Sequence, residues 1–287
     1  MRSEKEMFAK ILDFAKRNDR IRAVHMNGSR ANSKVTPDRF QDYDIVYTVT
    51  DIAHFRNDKS WICEFGEIAV MQEPDDSALF PPEHDPASRY AFLMQFCDGV
   101  RIDLSFQSIA FTKSTYGQDS LTIPLLDKDR LLPPIAPSSD RSYWVKKPQE
   151  NEYLACCNEF WWVSPYVAKG LRRGELLYAF DCLDGSVRPM LFKMLSWYVG
   201  IETNFSESVG KSGKYLQKYL PEVWWKKLLS TYSRAEAEEV WTSLFSMCSL
   251  FEEASVSVGE SLGFRIPYEE SHQALDFLKK VFRHEIP

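Results

Sequence analysis

The sequence predicts an α+β protein, with an N-terminal mixed sheet and flanking helices followed by an all-α helical bundle. Three observations predict it. Short β-type runs separated by turn signals fill the first half. Long segments of helical spacing, with few strand signals, fill the second. Between them, Thr112 to Pro148 is rich in proline and poor in periodicity. A chain of 287 residues accommodates two ordinary domains, and the texture places them at 1–148 and 149–287.

Each element has its own justification. Ser3-Glu4-Lys5-Glu6 reads as a capping box, and apolar residues at Met7, Phe8, Ile11, Leu12 and Ala15 follow at helical spacing, so 4–17 is an amphipathic helix. Ile21 to Asn27 is a strand, Gly28-Ser29 a turn, and Asp44 to Thr50 a second strand. Asp51 caps a short helix. Glu67 to Gln72 is a third strand, and Glu73 to Ser88, rich in Asp, Glu and Pro, is a loop. Tyr90 to Cys97 and Val100 to Gln107 flank Asp98-Gly99, a strong hairpin signal. A short strand is expected near Leu121 to Leu126. Beyond residue 149, helices are expected over 150–168, 175–198, 221–232, 235–258 and 271–283.

Composition narrows the function. Net charge is −6 and the isoelectric point is near 5.5, which argues against nucleic acid as the main partner and for a small or cationic one. No apolar run reaches the ~18–20 residues of a membrane span. The charged N-terminus is not a signal peptide. Six scattered cysteines, without CxxC or a His-rich partner, argue against zinc and read as reduced, buried thiols of a cytoplasmic protein. The many aromatics, including Trp161-Trp162 and Trp224-Trp225, read mostly as core, and His25 reads as structural.

The chemistry concentrates near the start. Glycine at position 28 lets backbone approach a phosphate and take positive φ, the following helix start offers N–H groups, Ser29 adds a hydroxyl, and Arg30 can either neutralise a phosphate oxygen or face solvent. Asp42 and Asp44, at i and i+2, share one face of a strand. Two adjacent carboxylates repel unless a cation lies between them, and Mg²⁺ suits that place because it takes oxygen ligands and keeps room for substrate phosphates. Asp103, flanked by Ile102 and Leu104 on a neighbouring strand, completes a triad and needs a partner of its own. The order of strand, Gly-Ser turn, Asp-x-Asp strand and later strand Asp points to nucleotidyl transfer from a nucleoside triphosphate.

These residues resemble the DNA polymerase β-like nucleotidyltransferase superfamily. Within it, the chain is similar to the bacterial aminoglycoside (streptomycin) 6-adenylyltransferases. Met26-Asn27-Gly28-Ser29-Arg30-Ala31-Asn32, Gln41-Asp42-Tyr43-Asp44-Ile45, Cys157-Asn158-Glu159-Phe160-Trp161-Trp162 and Gly210-Lys211-Ser212-Gly213-Lys214-Tyr215-Leu216 carry the likeness. The resemblance implies a nucleotidyltransferase-type sheet and transfer of AMP from Mg-ATP to a streptomycin hydroxyl, the 6-hydroxyl, with release of pyrophosphate and resistance to the drug. It implies that Asp42 and Asp44 bind metal and that Asp103 is either a third metal ligand or the general base.

In the helical half, Lys211 and Lys214 are donors suited to the β- and γ-phosphates of ATP. Glu159 and Trp162 suit the guanidinium groups of streptomycin, through carboxylate pairing and an indole face. The acidic loop with Asp75, Asp76, Glu83 and Asp85 is either a further lure for a cation or, as charged loops usually are, simply solvated. Drug and nucleotide are expected to meet between the two halves. Two competing readings share the motif: a nucleotidyltransferase acting on RNA ends, and an antitoxin-like module that binds a protein partner.

Overall fold

The structure is a computed structural model and describes residues 2–285. The chain forms two compact units, Met1–Ser142 and Tyr143–Pro287.

The first unit is built on one six-stranded sheet in the order β3-β4-β5-β2-β1-β6. The strands are β1 (Ile21–Asn27), β2 (Tyr43–Val49), β3 (Ile68–Gln72), β4 (Arg89–Phe96), β5 (Arg101–Ser108) and β6 (Ile123–Asp127). Only β2 and β5 pair in parallel, and every other neighbour is antiparallel. The β4–β5 hairpin turns at Asp98-Gly99, where Gly99 takes φ 87°. Helix α1 (Glu4–Arg17) starts with the expected capping box, Ser3 and Glu6 each satisfying the other's backbone N–H. It buries Met7, Ile11, Phe14 and Ala15 against the sheet, where Phe14, Tyr47, Trp61, Phe65, Phe92 and Phe106 form an aromatic core. Asp51 caps α2 (Ile52–Asn57) by accepting from the His54 N–H.

Two features of this unit depart from the sequence reading. Helix α3 (Ile109–Thr115) falls where an irregular stretch was expected. Ser108 caps it, accepting from the Phe111 N–H at 3.2 Å, but seven residues span too few turns to display a period. Cysteine burial also differs, because Cys63 and Cys97 are exposed while Cys156, Cys157, Cys182 and Cys248 are buried, and all six are free thiols. His25 is buried as expected, packed edge-on against Tyr116, and burial pushes it down to about 4.

The second unit is helical. Its elements are α4 (Glu150–Arg172), α5 (Leu176–Cys182), α6 (Arg188–Glu202), α7 (Leu216–Tyr219), α8 (Glu222–Leu229), α9 (Ala237–Leu262) and α10 (Tyr268–Phe282). The long helices α4 and α9 share a core in which Phe160 stacks on Phe251 at 3.7 Å. The single helix expected over 175–198 is interrupted by a π turn at Leu183–Val187. Pro189 has no N–H to give the Gly185 carbonyl, and the chain widens locally. Buried Arg188 closes the gap, donating to Asp184, the Thr231 hydroxyl and the Thr231 carbonyl. Among the described residues no helix is long and apolar enough to cross a membrane.

Candidate active site

Strand pairing brings the N-terminal carboxylates together. In the parallel β2–β5 pair, Asp44 stands directly opposite Asp103. In the antiparallel β1–β2 pair, Asp44 also stands opposite Asn27. Asp42 lies two residues before Asp44, at the edge of β2, and the alternation of the strand sends both to the same side.

Gly28 follows Asn27 with φ 75°. A Cβ placed there would fall onto the Asp44 carboxylate, its Cγ only 2.6 Å away. Glycine is therefore required twice, by conformation and by space. The chain then makes one 3₁₀ turn, Ser29–Ala31, and this turn stands in place of the helix start invoked from sequence. Ser29 makes no side-chain hydrogen bond among the described residues.

Arg30 is used structurally. Its Nε donates to the Asp42 carbonyl at 3.0 Å and its Nη2 to the Gln41 carbonyl at 2.9 Å. Nη1 pairs with Glu4 at 2.9 Å, and the guanidinium lies 3.9 Å over the Tyr43 ring. These bonds fix the segment that delivers Asp42, and they engage every nitrogen that was expected to reach a phosphate.

Electrostatics mark the cluster. Burial first, then Asp103 and Asp42, raise Asp44 from an ordinary 3.8 to about 6. Burial likewise raises Asp42, and Arg101 opposes that shift. Arg101 is the residue that sequence reasoning missed. Its Nε and Nη2 grip the two oxygens of Asp103 at 2.8 and 2.9 Å, and its Nε lies 3.5 Å from Asp42. The signal was present, because Arg101 and Asp103 are i and i+2 on one strand and share a face.

Among the described residues no three acidic, His or Cys side chains already form a cage for a metal ion. The donor set nevertheless fits one. No hydrogen bond or ion pair reaches the Asp44 carboxylate among the described residues, and burial beside Asp103 and Asp42 disfavours its charged form. Asp42 and Asp44 offer oxygens of the kind Mg²⁺ takes, whereas Asp103 is engaged by Arg101.

A cavity of about 530 Å³ opens beside the cluster, with Asn27, Asp44, Asp103 and Ser105 on the sheet side. The segment around Pro74–Glu83 forms its other wall.

The helical unit carries the remaining candidates. Glu159 and Trp162 lie one turn apart on the outer face of α4, and Trp162 is 62% exposed while its neighbour Trp161 is in the core. Trp162 meets Tyr166 edge-on at 6.2 Å. Lys211 and Lys214 sit on a loop with positive φ at Gly210, Ser212 and Gly213. Both are exposed and without an ion pair among the described residues, and Lys214 lies 5.1 Å over the Tyr215 ring.

Comparison with known proteins identifies the family. The family model described as streptomycin adenylyltransferase matches residues 1–281. The chain is 42% identical over 272 residues to aminoglycoside 6-adenylyltransferase of Bacillus subtilis (strain 168), covering 94% of this chain and 95% of that protein. It is 40% identical to the enzyme of the same name from Campylobacter jejuni, covering 94% and 93%. A crystal structure of an aminoglycoside 6-adenyltransferase from Bacillus subtilis is 37% identical and covers 98% of this chain and 99% of its own, at a TM-score of 0.48. The chain belongs to the streptomycin adenylyltransferase family.

Proposed function

We propose that this protein transfers AMP from ATP to the 6-hydroxyl of streptomycin or a closely related aminoglycoside, releasing pyrophosphate and conferring resistance. The observation that carries the reading is the Asp44–Asp103 pairing beside the Gly28 turn, in a chain similar over nearly its full length to aminoglycoside 6-adenylyltransferases. A cytoplasmic location, where ATP is present, is part of this reading.

The drug hydroxyl attacks the α-phosphorus, the bond from that phosphorus to the oxygen bridging toward the β-phosphate breaks, and pyrophosphate leaves. Asp42 and Asp44 would hold Mg²⁺, which would supply positive charge to the phosphate oxygens. Asp103 takes the hydroxyl proton, and Arg101, bonded to both its oxygens, aims the carboxylate. The turn at Gly28 and Ser29 lets backbone approach the triphosphate, while Lys211 and Lys214 neutralise its outer phosphates. Arg30 supports this from behind by holding the Asp42 segment. Glu159 and Trp162 contact a basic group of the drug.

The similarity to aminoglycoside enzymes favours this reading over action on RNA ends or a protein partner, and the net charge of −6 agrees. Pyrophosphate release from Mg-ATP, measured with and without streptomycin, tests it. Streptomycin-dependent release with a product heavier by one AMP is expected. ATP turnover indifferent to any aminoglycoside would sink the proposal.

A further inference from the structure

The cavity beside the carboxylates has a charge that selects its occupant. Asp44, Asp75, Asp103 and Glu83 line it, against the single cation Arg89. Among the described residues neither Gly28 nor Ser29 lines it. Arg89 lies 4.0 Å from Asp75 and Arg101 grips Asp103, so Asp44 and Glu83 are the lining carboxylates without an ion pair among the described residues, and a basic ligand would be drawn toward them.

The outer wall is built to hold its shape. Asp75 is buried and accepts from the Ala91 N–H at 2.7 Å, with Arg89 4.0 Å away. The Tyr90 hydroxyl ties the same segment down, lying 2.7 Å from the Glu73 carboxylate and 2.6 Å from that of Asp76 with its one proton shared between them. Pro81 and Pro82 stiffen the lip, and His84 packs edge-on against Phe111 at 5.1 Å. On this anchored wall two side chains stand unused. Phe80 is 65% exposed. Glu83 is exposed and has no ion pair or hydrogen bond among the described residues.

We infer that this cavity is the acceptor half of the active site, where Glu83 pairs with a basic group of the incoming aminoglycoside and Phe80 packs against its ring. The inference rests on the adenylyltransferase reading and deepens it, because it assigns the drug, and not the nucleotide, to the space in front of Asp103. The arrangement is economical. Asp103 lines the cavity that would receive the hydroxyl, and a backbone anchored on a stiff wall loses little freedom when Glu83 pairs.

The test is steady-state kinetics with streptomycin varied at saturating Mg-ATP, and the converse, for wild type, Glu83→Gln, Glu83→Lys and Phe80→Ala. Calorimetric titration of streptomycin into each protein gives a second readout. Glu83→Gln is expected to raise the drug KM about tenfold. Glu83→Lys is expected to raise it further, and Phe80→Ala by about fivefold. In each, kcat and the ATP KM should stay within about twofold. An unchanged drug KM in Glu83→Lys, with wild type still adenylylating streptomycin, overturns the inference and leaves the reaction standing. A raised ATP KM with an unchanged drug KM reassigns the cavity to the nucleotide. Absence of streptomycin-dependent pyrophosphate release from wild type removes both the reaction and the inference.

Discussion

The two units hold their candidate residues in opposite ways. In the sheet unit, Asp44 is placed by hydrogen-bonded pairing with two neighbouring strands, and its surroundings charge a cost for being there. In the helical unit, Glu159, Trp162, Lys211 and Lys214 stand on the surface, fixed by their own helix or loop and little else. The contrast teaches where each task belongs. Bond making needs groups held to fractions of an ångström, and paired strands supply that. Holding a flexible, highly charged ligand tolerates looser groups, whose individual loss should be survivable.

The sharpest break of this comparison is Asp44→Asn. Turnover should fall at least about a thousandfold, since a metal ligand charge is lost. The same change should stabilise the ligand-free protein. The folded pKa of Asp44, about 6, lies above its ordinary 3.8, so the native state binds the proton more tightly than the unfolded chain. The associated stability is full below about pH 3.8 and is lost as pH rises through about 6. At pH 7.5 the ionised group therefore costs about 1–2 kcal/mol after allowance for its partial exposure to solvent. Urea unfolding at that pH should show the variant more stable than wild type, with the gap closing toward pH 4. A less stable variant at pH 7.5 would mean that Asp44 already has a partner.

Gly28→Ala comes next. The new methyl meets the Asp44 carboxylate in a backbone conformation that disfavours it, a cost of roughly 2–3 kcal/mol. The double variant Gly28→Ala with Asp44→Gly should recover part of that stability and none of the activity. Arg101→Ala should lower kcat about tenfold or more, with the drug KM nearly unchanged, and Lys at 101 should restore only part because it lacks the fork. A change confined to KM would move Arg101 from positioning Asp103 to binding substrate. The smallest effects belong to the helical unit. Trp162→Ala and Glu159→Gln should each raise the drug KM about three- to fivefold, and Lys211→Ala the ATP KM by a similar factor, with melting temperatures unmoved. A hundredfold kcat loss in any of them would erase the contrast between the units.

What could be read from the chain follows the same division. Alternation with period two put Asp42 and Asp44 on one face, and Asp98-Gly99 announced the hairpin that carries Asp103. The pairing that sets Asp103 opposite Asp44 is parallel and joins strands far apart in sequence, so alternation put Arg101 on the face of Asp103 but could not bring it to Asp42. Arg30 was misleading for a related reason. Its partners, Glu4, Gln41 and Asp42, come from a helix and a loop whose meeting is tertiary. In the helical half, spacing announced the long helices and missed the π turn before α6, where Pro189 is the local cause. Exposure separated Trp162 from Trp161, and two adjacent letters in a sequence carry no such distinction.

The ties of Arg2, Ser3 and Glu4 have a practical side. Arg2 grips Asp98 at the hairpin tip through its Nε at 2.8 Å and also donates to the Phe65 carbonyl. Glu4 anchors the Arg30 fork that holds the Asp42 segment. The first turn of α1 is thus a brace for candidate catalytic parts that lie dozens of residues downstream. Substitutions in this first turn therefore threaten the site more than their distance along the chain suggests.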